Sequence, residues 1–466
     1  MTARALSLAI LLTFVAPIAA ADPKLAVGFA EVDVSPTIGK KPVYLAGFGQ
    51  DRKATKIHDP IMARAVVFSD GTQKIAFASI DIVGLFIENV ANIRKELPGF
   101  RYVLVSSTHN HEGPDTLGLW GPNQLSSGVD PEYMKRVEAG TVKAIRDAEK
   151  ALAPAAAAIG TAKGPELLRD GRQPNVLHDD IVAIRFADAA GKAIGILVQW
   201  NCHPETLDDK NTEVSADYVA ATVKALREKH GCPVAYFTGT VGGLLTSLGV
   251  PVKNAKGEEL KDGTFEKTEE YGRLVAALAD RALAKAVPAD LVPFDVRAKP
   301  LLVPVDNAVY KIAKQIGKLK RPMYDWTGDP FHAKPVESKD AAGDVAILSE
   351  IGLIRLGQLD VAAIPGEIYP ELVLGKIQDP IDPGADYPDA PKEPAIYDQM
   401  TGKHKMIIGL ANDELGYFIP KRQWDEKAPF CYGLKKSQYG EINSVGPRTA
   451  PILCEAFKAL AAPKSK

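Results

Sequence analysis

Apolar residues in this chain fall into short unbroken runs that alternate with segments of helical period, and the runs stop at turns containing Pro or Gly. From residue 27 to about 290 the order is strand-like KIAFASIDIVGL, helix-like IENVANIRKEL, strand-like RYVLVSS and the long helical stretch PEYMKRVEAGTVKAIRDAEKAL. Further on, SADYVAATVKALREKH has the period of an amphipathic helix between the runs AIGILVQW and CPVAYFTG. The pattern predicts an α/β (mixed α+β) fold, with mixed β-sheets flanked by helices and ligand-bearing loops at strand C-terminal ends. There is no repeat of solenoid type. Residues 380–398, rich in Pro and Asp, have no periodicity and read as an ordered loop or lid; KLKRPMYDW near residue 318 reads as solvated basic surface.

Three of the runs end in turns that carry metal-ligand chemistry. RYVLVSS leads into Thr108-His109-Asn110-His111-Glu112-Gly113-Pro114, AIGILVQW into Asn201-Cys202-His203-Pro204-Glu205, and LGQLDVAAI into Pro365-Gly366-Glu367. Side chains at the ends of neighbouring strands can meet at one point. Two imidazoles and a carboxylate, with one position left for water, are the ligand set of catalytic zinc. If the strand continued, His109 and His111 would share a face; the expectation is one of them on the metal and the other beside it. Glu367 also suits the cap of a following helix. The adjacent Gly242 and Gly243 suit either an oxyanion site or a plain tight turn. Asp81 and Asp217 could orient a ligand imidazole, and Asp217 also has the position of a helix cap. The expected activity is zinc-dependent hydrolysis by a zinc-activated water. The rivals are a two-metal phosphatase or sulfatase-like enzyme using Asp81 and Asp217, and a metal-containing binding protein without turnover.

Composition narrows the partners. The chain of 466 residues has a formal net charge of −2 and no basic stripe, which argues against nucleic acid. Arg4, the apolar stretch Ala5 to Phe14, Pro17 and Ala19-Ala20-Ala21 form the pattern of a signal peptide over residues 1–21, so a secreted or periplasmic protein with one catalytic domain over 22–466 is expected. No later stretch is long and apolar enough for a transmembrane segment. Cys202, Cys232, Cys431 and Cys454 are too few for a disulfide scaffold; Cys431 and Cys454 could pair, and Cys202 reads as a small buried hydrophobe. Oligomeric state is not legible.

Taken together, these blocks resemble the neutral/alkaline ceramidase family, secreted zinc amidases that cleave the amide of ceramide. VGFAEVDVSP, YLAGFG, HDPIMARAVVF and SIDIVGL are similar to its opening blocks, SSTHNHEGPD and VQWNCHPETL to its histidine motifs, and IRLGQLDVAAIPGE to its glutamate block. GLANDELGYFIPKRQWD and GEINSVGPRTAPIL resemble its closing tyrosine and Gly-Pro motifs. The resemblance implies His109, His203, Glu367 and Tyr417 as Zn2+ ligands. It places His111 beside the metal and Arg172 in the pocket, with a small-molecule or lipid-like acyl amide as substrate. There are two departures. The family's Gly-Asp-Val-Ser-Pro block falls on Gly242-Gly243-Leu244-Leu245-Thr246, where leucine cannot attack a carbonyl; Thr246 or Ser247 could substitute only if the loop shifted. The chain also ends soon after Gly446-Pro447, which implies a short member without the C-terminal β-sandwich and leaves ceramide itself open as substrate.

Overall fold

The computed structural model of the chain describes residues 25–463; the expected signal peptide, residues 1–21, lies outside them. Three mixed sheets repeat one topology. In the first, Ala26–Asp33 (β1), Met62–Ser69 (β2), Lys74–Ile80 (β3), Tyr102–Ser107 (β4) and Ala153–Pro154 (β5) lie in the order β4-β3-β2-β1-β5. In the second, Ala156–Lys163 (β6), Asp180–Ala187 (β7), Ala193–Trp200 (β8), Val234–Thr238 (β9) and Val287–Ala289 (β10) lie in the order β9-β8-β7-β6-β10. In the third, Phe294–Pro304 (β11), Val345–Leu356 (β12), Leu359–Ala363 (β13) and His404–Ile408 (β14) are consecutive neighbours. Each sheet runs antiparallel through its first three long strands and then gains a fourth strand parallel to the third. A parallel addition needs a crossover connection. Helix Ile87–Lys95 (α1) lies on the crossover in the first sheet, and helix Tyr218–His230 (α3) on that in the second.

Alternation along the strands explains why the runs are apolar throughout. In β3, Ile75 and Phe77 enter a core shared by all three sheets, while Ala76, Ala78 and Ile80 face helices. In β9, Phe237 enters the same core and Tyr236 faces outward; in β13, Val361 points in and Ala362 out. Outside the first sheet lies Pro131–Lys150 (α2), capped by Asp130 with Pro131 at its first turn, and burying Val137, Ile145 and Ala148. Its approach is tight: a Cβ on Gly28 would lie 2.0 Å from the Ala148 carbonyl oxygen. Tyr218–His230 (α3) and Phe265–Leu283 (α4) cover the second sheet, and Thr449–Ala461 (α5) helps cover the third.

Several expectations change in detail. LGQLDVAAI is not one strand: β12 ends at Leu356 and β13 begins at Leu359, because Gly357 (φ +50°) turns the chain. Residues 380–398 form an ordered loop rather than a lid; Asp386, Ala390 and Glu393 accept hydrogen bonds from residues 421–427, away from the cavity described below. All four cysteines are free and buried, so Cys431 and Cys454 are unpaired.

The last strands of the three sheets meet at their C-terminal ends. Gly409 N–H donates to the Thr238 carbonyl (3.0 Å), Asn412 N–H to the Val105 carbonyl (2.7 Å) and the Thr238 hydroxyl to the Thr108 carbonyl (2.8 Å). The loops beyond these ends are therefore drawn onto one spot.

Candidate metal centre

One acid or base arrives from each sheet: His109 follows β4, His203 follows β8 and Glu367 follows β13. All three are at least nine-tenths buried. The strand does not continue through His109, which sits at φ +66°, a left-handed conformation costly for a side chain larger than glycine. The His109–His111 proximity therefore comes from a turn, not from strand alternation, and brings the two ring centroids to 4.9 Å. Gly47 (φ +92°) makes room, since a Cβ there would lie 2.2 Å from the His111 ring. Arg52 donates to the His111 carbonyl (3.0 Å) and pairs with Glu112 (2.6 Å), fixing the turn from beneath.

The ring nitrogens have divided roles. His109 Nδ1 lies 2.7 Å from the Val83 carbonyl and His203 Nδ1 2.9 Å from the Leu245 carbonyl. A carbonyl only accepts, so each Nδ1 carries the proton and each Nε2 presents a lone pair. Both Nε2 atoms face Glu367 Oε2, at 3.3 Å and 3.0 Å. Three electron-pair donors converging out of water require a cation among them, and carbonyl-oriented imidazoles are the usual supporting arrangement for metal ligands. The nitrogens of His109, His111 and His203 all lie within 4.8 Å of one another, and they are the one such group of His, Cys, Asp or Glu among the described residues. His111 Nδ1 lies 3.3 Å from the Glu205 carboxylate, too poorly aligned for a full hydrogen bond.

With protein atoms alone, a proton takes the cation's place. Burial would lower the pKa of His203, but the bond to Glu367 and the charges of Glu205 and Glu367 raise it to about 9. Glu367 is held well below the usual carboxylate range: burial opposes this, but His109 and His203 outweigh it. Burial lowers His111 to about 4, against the pull of Glu205. Stripped of metal, the protein is expected to gain stability from His203 protonation below about pH 6.5 and to lose that contribution as pH rises through about 9. Thermal melts of chelator-treated protein across that window check it.

Glu367–Ile368 and Tyr417–Phe418 form a two-residue parallel ladder with Glu367 opposite Tyr417, so both side chains leave on one face. Tyr417 lies in a cavity of about 190 Å³ together with His109, His111 and Glu367. Phe48, Leu117, Leu119, Trp120 and Leu319 supply apolar walls, and Tyr310, Glu414, Tyr439 and Asn443 supply polar atoms. The Tyr417 and Tyr439 rings meet edge to face at 5.8 Å.

Other expected site residues lie elsewhere. Arg172 does not line the cavity; its guanidinium makes a bidentate pair with Glu441 (2.7 and 2.9 Å) and donates to the carbonyls of Gln423 and Tyr439. Gly242 and Gly243 are also absent from the walls. Gly242 packs where a Cβ would lie 2.5 Å from the Ile368 carbonyl carbon, and Gly243 turns the chain at φ +72°. Leu245 buries its side chain in the outer core of the second sheet while its carbonyl orients His203. The Ser247 hydroxyl is bonded to Thr206 (2.7 Å). Asp81 is spent on Arg64 (2.7 Å) and Asp217 caps α3, which removes the ligands of the two-metal reading.

Three contributors were not foreseen. Arg321, in the run read as solvated surface, is 2% exposed, pairs with Asp413 (2.9 Å) and lies over the Phe86 ring. Glu205 sets His111. Glu414, its pKa raised by burial and then by the charge of Glu367, accepts from Gly416 N–H (2.7 Å) and leaves Oε2 without a partner. The only sequence signals were an acidic pair ahead of Gly416-Tyr417 and, far off along the chain, the charge run that holds Arg321.

Fold and site together define a mixed α/β protein with a buried histidine–carboxylate centre of the kind that holds a divalent cation. The chain belongs to the neutral/alkaline non-lysosomal ceramidase family, whose N-terminal profile matches residues 25–282. Its fold is similar to the crystal structure of neutral ceramidase from Pseudomonas aeruginosa: TM-score 0.69, 16% identity, covering 95% of this chain and 74% of that one. It is also similar to a structure of ceramidase complexed with C2: TM-score 0.67, 15% identity, covering 94% and 75%.

Proposed function

We propose that this protein is a zinc-dependent hydrolase that cleaves the amide bond of an N-acyl, ceramide-like lipid, with water as the nucleophile. The observation that carries this reading is the convergence of two carbonyl-oriented imidazoles on Glu367, which itself lines a cavity of mixed polar and apolar walls. His109, His203, Glu367 and Tyr417 would hold the ion. When bound, zinc would polarise the acyl carbonyl and lower the pKa of water from about 15.7 to near 7. Among the described residues that line the cavity there is no Ser, Thr or Cys, which favours water over a side-chain nucleophile. His111, kept neutral by burial, would move a proton at the ring nitrogen turned away from Glu205. The apolar walls would exclude bulk water and seat the acyl chain. The signal-like pattern of residues 1–21 supports action outside the cytoplasm.

Metal analysis combined with a panel of N-acyl amides, from short-chain N-acylsphingosines to simple amides, tests the reading. One zinc per chain with metal-dependent amide hydrolysis is expected. Two metals per chain, or no hydrolysis of any amide or ester, would sink it. Tyr417→Phe is expected to weaken zinc retention against a competing chelator by about tenfold or more; unchanged retention would pass the fourth position to Tyr439.

A further inference from the structure

Helix Ala308–Gln315 turns apolar side chains toward solvent. Tyr310 and Ala313 pack inward against the core of the third sheet, while Val309, Ile312 and, just past the helix, Ile316 are 53%, 54% and 49% exposed. Two more exposed aliphatics adjoin this face. Ile442 is tied to the helix start by Asn307, whose side-chain amide donates to the Ile442 carbonyl (2.8 Å). Leu125 stands beside Gln124, whose carbonyl accepts from Lys318 Nζ (2.8 Å). Of the cations in segment 307–323, Lys311 and Lys314 are half-buried and Lys320 is exposed, whereas Lys318 and Arg321 are buried; the segment has no acidic residue.

This face adjoins one wall of the cavity. Tyr310 of the helix, Leu319 just beyond it, Asn443 next to Ile442, and Leu119 and Trp120 of the Leu125 loop all line the cavity. The cavity, at about 190 Å³, is smaller than the roughly 300 Å³ at which pockets begin to enclose drug-sized molecules. A long-chain substrate must therefore extend out of it, past these residues. A helix that presents aliphatics outward and lysines at its flanks has the makeup of an element lying in a membrane interface, with cations among anionic headgroups and side chains among the first methylenes.

We propose that this face docks on a bilayer containing anionic lipids and turns the mouth of the cavity toward the membrane, so that a lipid substrate enters without crossing water. Docking stands on the surface alone; delivery of substrate rests on the hydrolytic reading above. Sedimentation with phosphatidylcholine vesicles containing phosphatidylglycerol tests docking without any assay of turnover. The full-length protein is expected to bind, and the double variant Ile312→Asp/Ile316→Asp, altered only at exposed positions, to bind at least about tenfold more weakly. The variant should hydrolyse a short-chain, water-dispersed amide at the wild-type rate and lose activity on a long-chain amide embedded in vesicles. Docking is overturned if the wild type fails to bind these vesicles or the variant binds equally. It is also overturned if sedimentation velocity shows a wild-type dimer that the substitutions convert to monomer, which would make the face a self-association surface. Absence of hydrolysis on every substrate would defeat the functional reading and leave the vesicle result to decide docking.

Discussion

His203→Ala is expected to bring bound zinc to background and to lower kcat/KM by at least about a thousandfold, the scale set by loss of a metal-activated nucleophile. The residue is fully buried and its two nitrogens face the Leu245 carbonyl and Glu367, so truncation removes one of the two imidazoles that converge on Glu367. It also removes the group that balances the Glu367 charge from the second sheet. Elemental analysis and steady-state kinetics on the folded variant, verified by circular dichroism, check the outcome. Retained zinc at one per chain with near-normal rate would show that His203 is a core histidine and the centre lies elsewhere. Adding zinc in excess should not restore the rate, because the missing donor is the protein's own.

Arg172→Met separates two roles for a residue that the family resemblance placed in the pocket. Its guanidinium is buried and spent on Glu441 and two backbone carbonyls, so removing it strands a buried carboxylate. Breaking such a pair costs about 3–5 kcal/mol. The stranded Glu441 already has a pKa raised by burial despite Arg172, and without the arginine it rises further. A carboxyl with a raised folded-state pKa penalises folding above its ordinary value near 4.5. The stability gap to wild type should therefore shrink as pH falls toward that value. Denaturant melts at several pH values measure it. A substrate-binding arginine would instead give an unchanged melt and a raised KM.

Much of the scaffold was legible because buried strands and amphipathic helices leave periodic traces: AIGILVQW is β8 residue for residue, and SADYVAATVKALREKH holds α3 behind its Asp217 cap. What was not legible is long-range pairing. Nothing in KLKRPMYDW says that Arg321 will meet Asp413, ninety-two positions away, and be buried by it. A charge run looks like surface until its partner is known. Gly242 and Gly243 suited an anion cradle on composition, but the space at Gly242 is filled by Ile368 and Tyr369, and Gly243 faces the Asp170 carboxylate. The histidines and Glu367 were found because each ends an apolar run. Their convergence depended on three sheets sharing one core, which no local pattern encodes.

Because His109, His203 and Glu367 are contributed by separate sheets, an ion bound to them would act as a keystone. Pulling it out should loosen the three sheets from one another at the same time as it silences the chemistry. Occupancy at a hundredfold excess over the dissociation constant adds roughly 2.7 kcal/mol to the folded state. Metal supply would then set how long the protein survives as well as how fast it works.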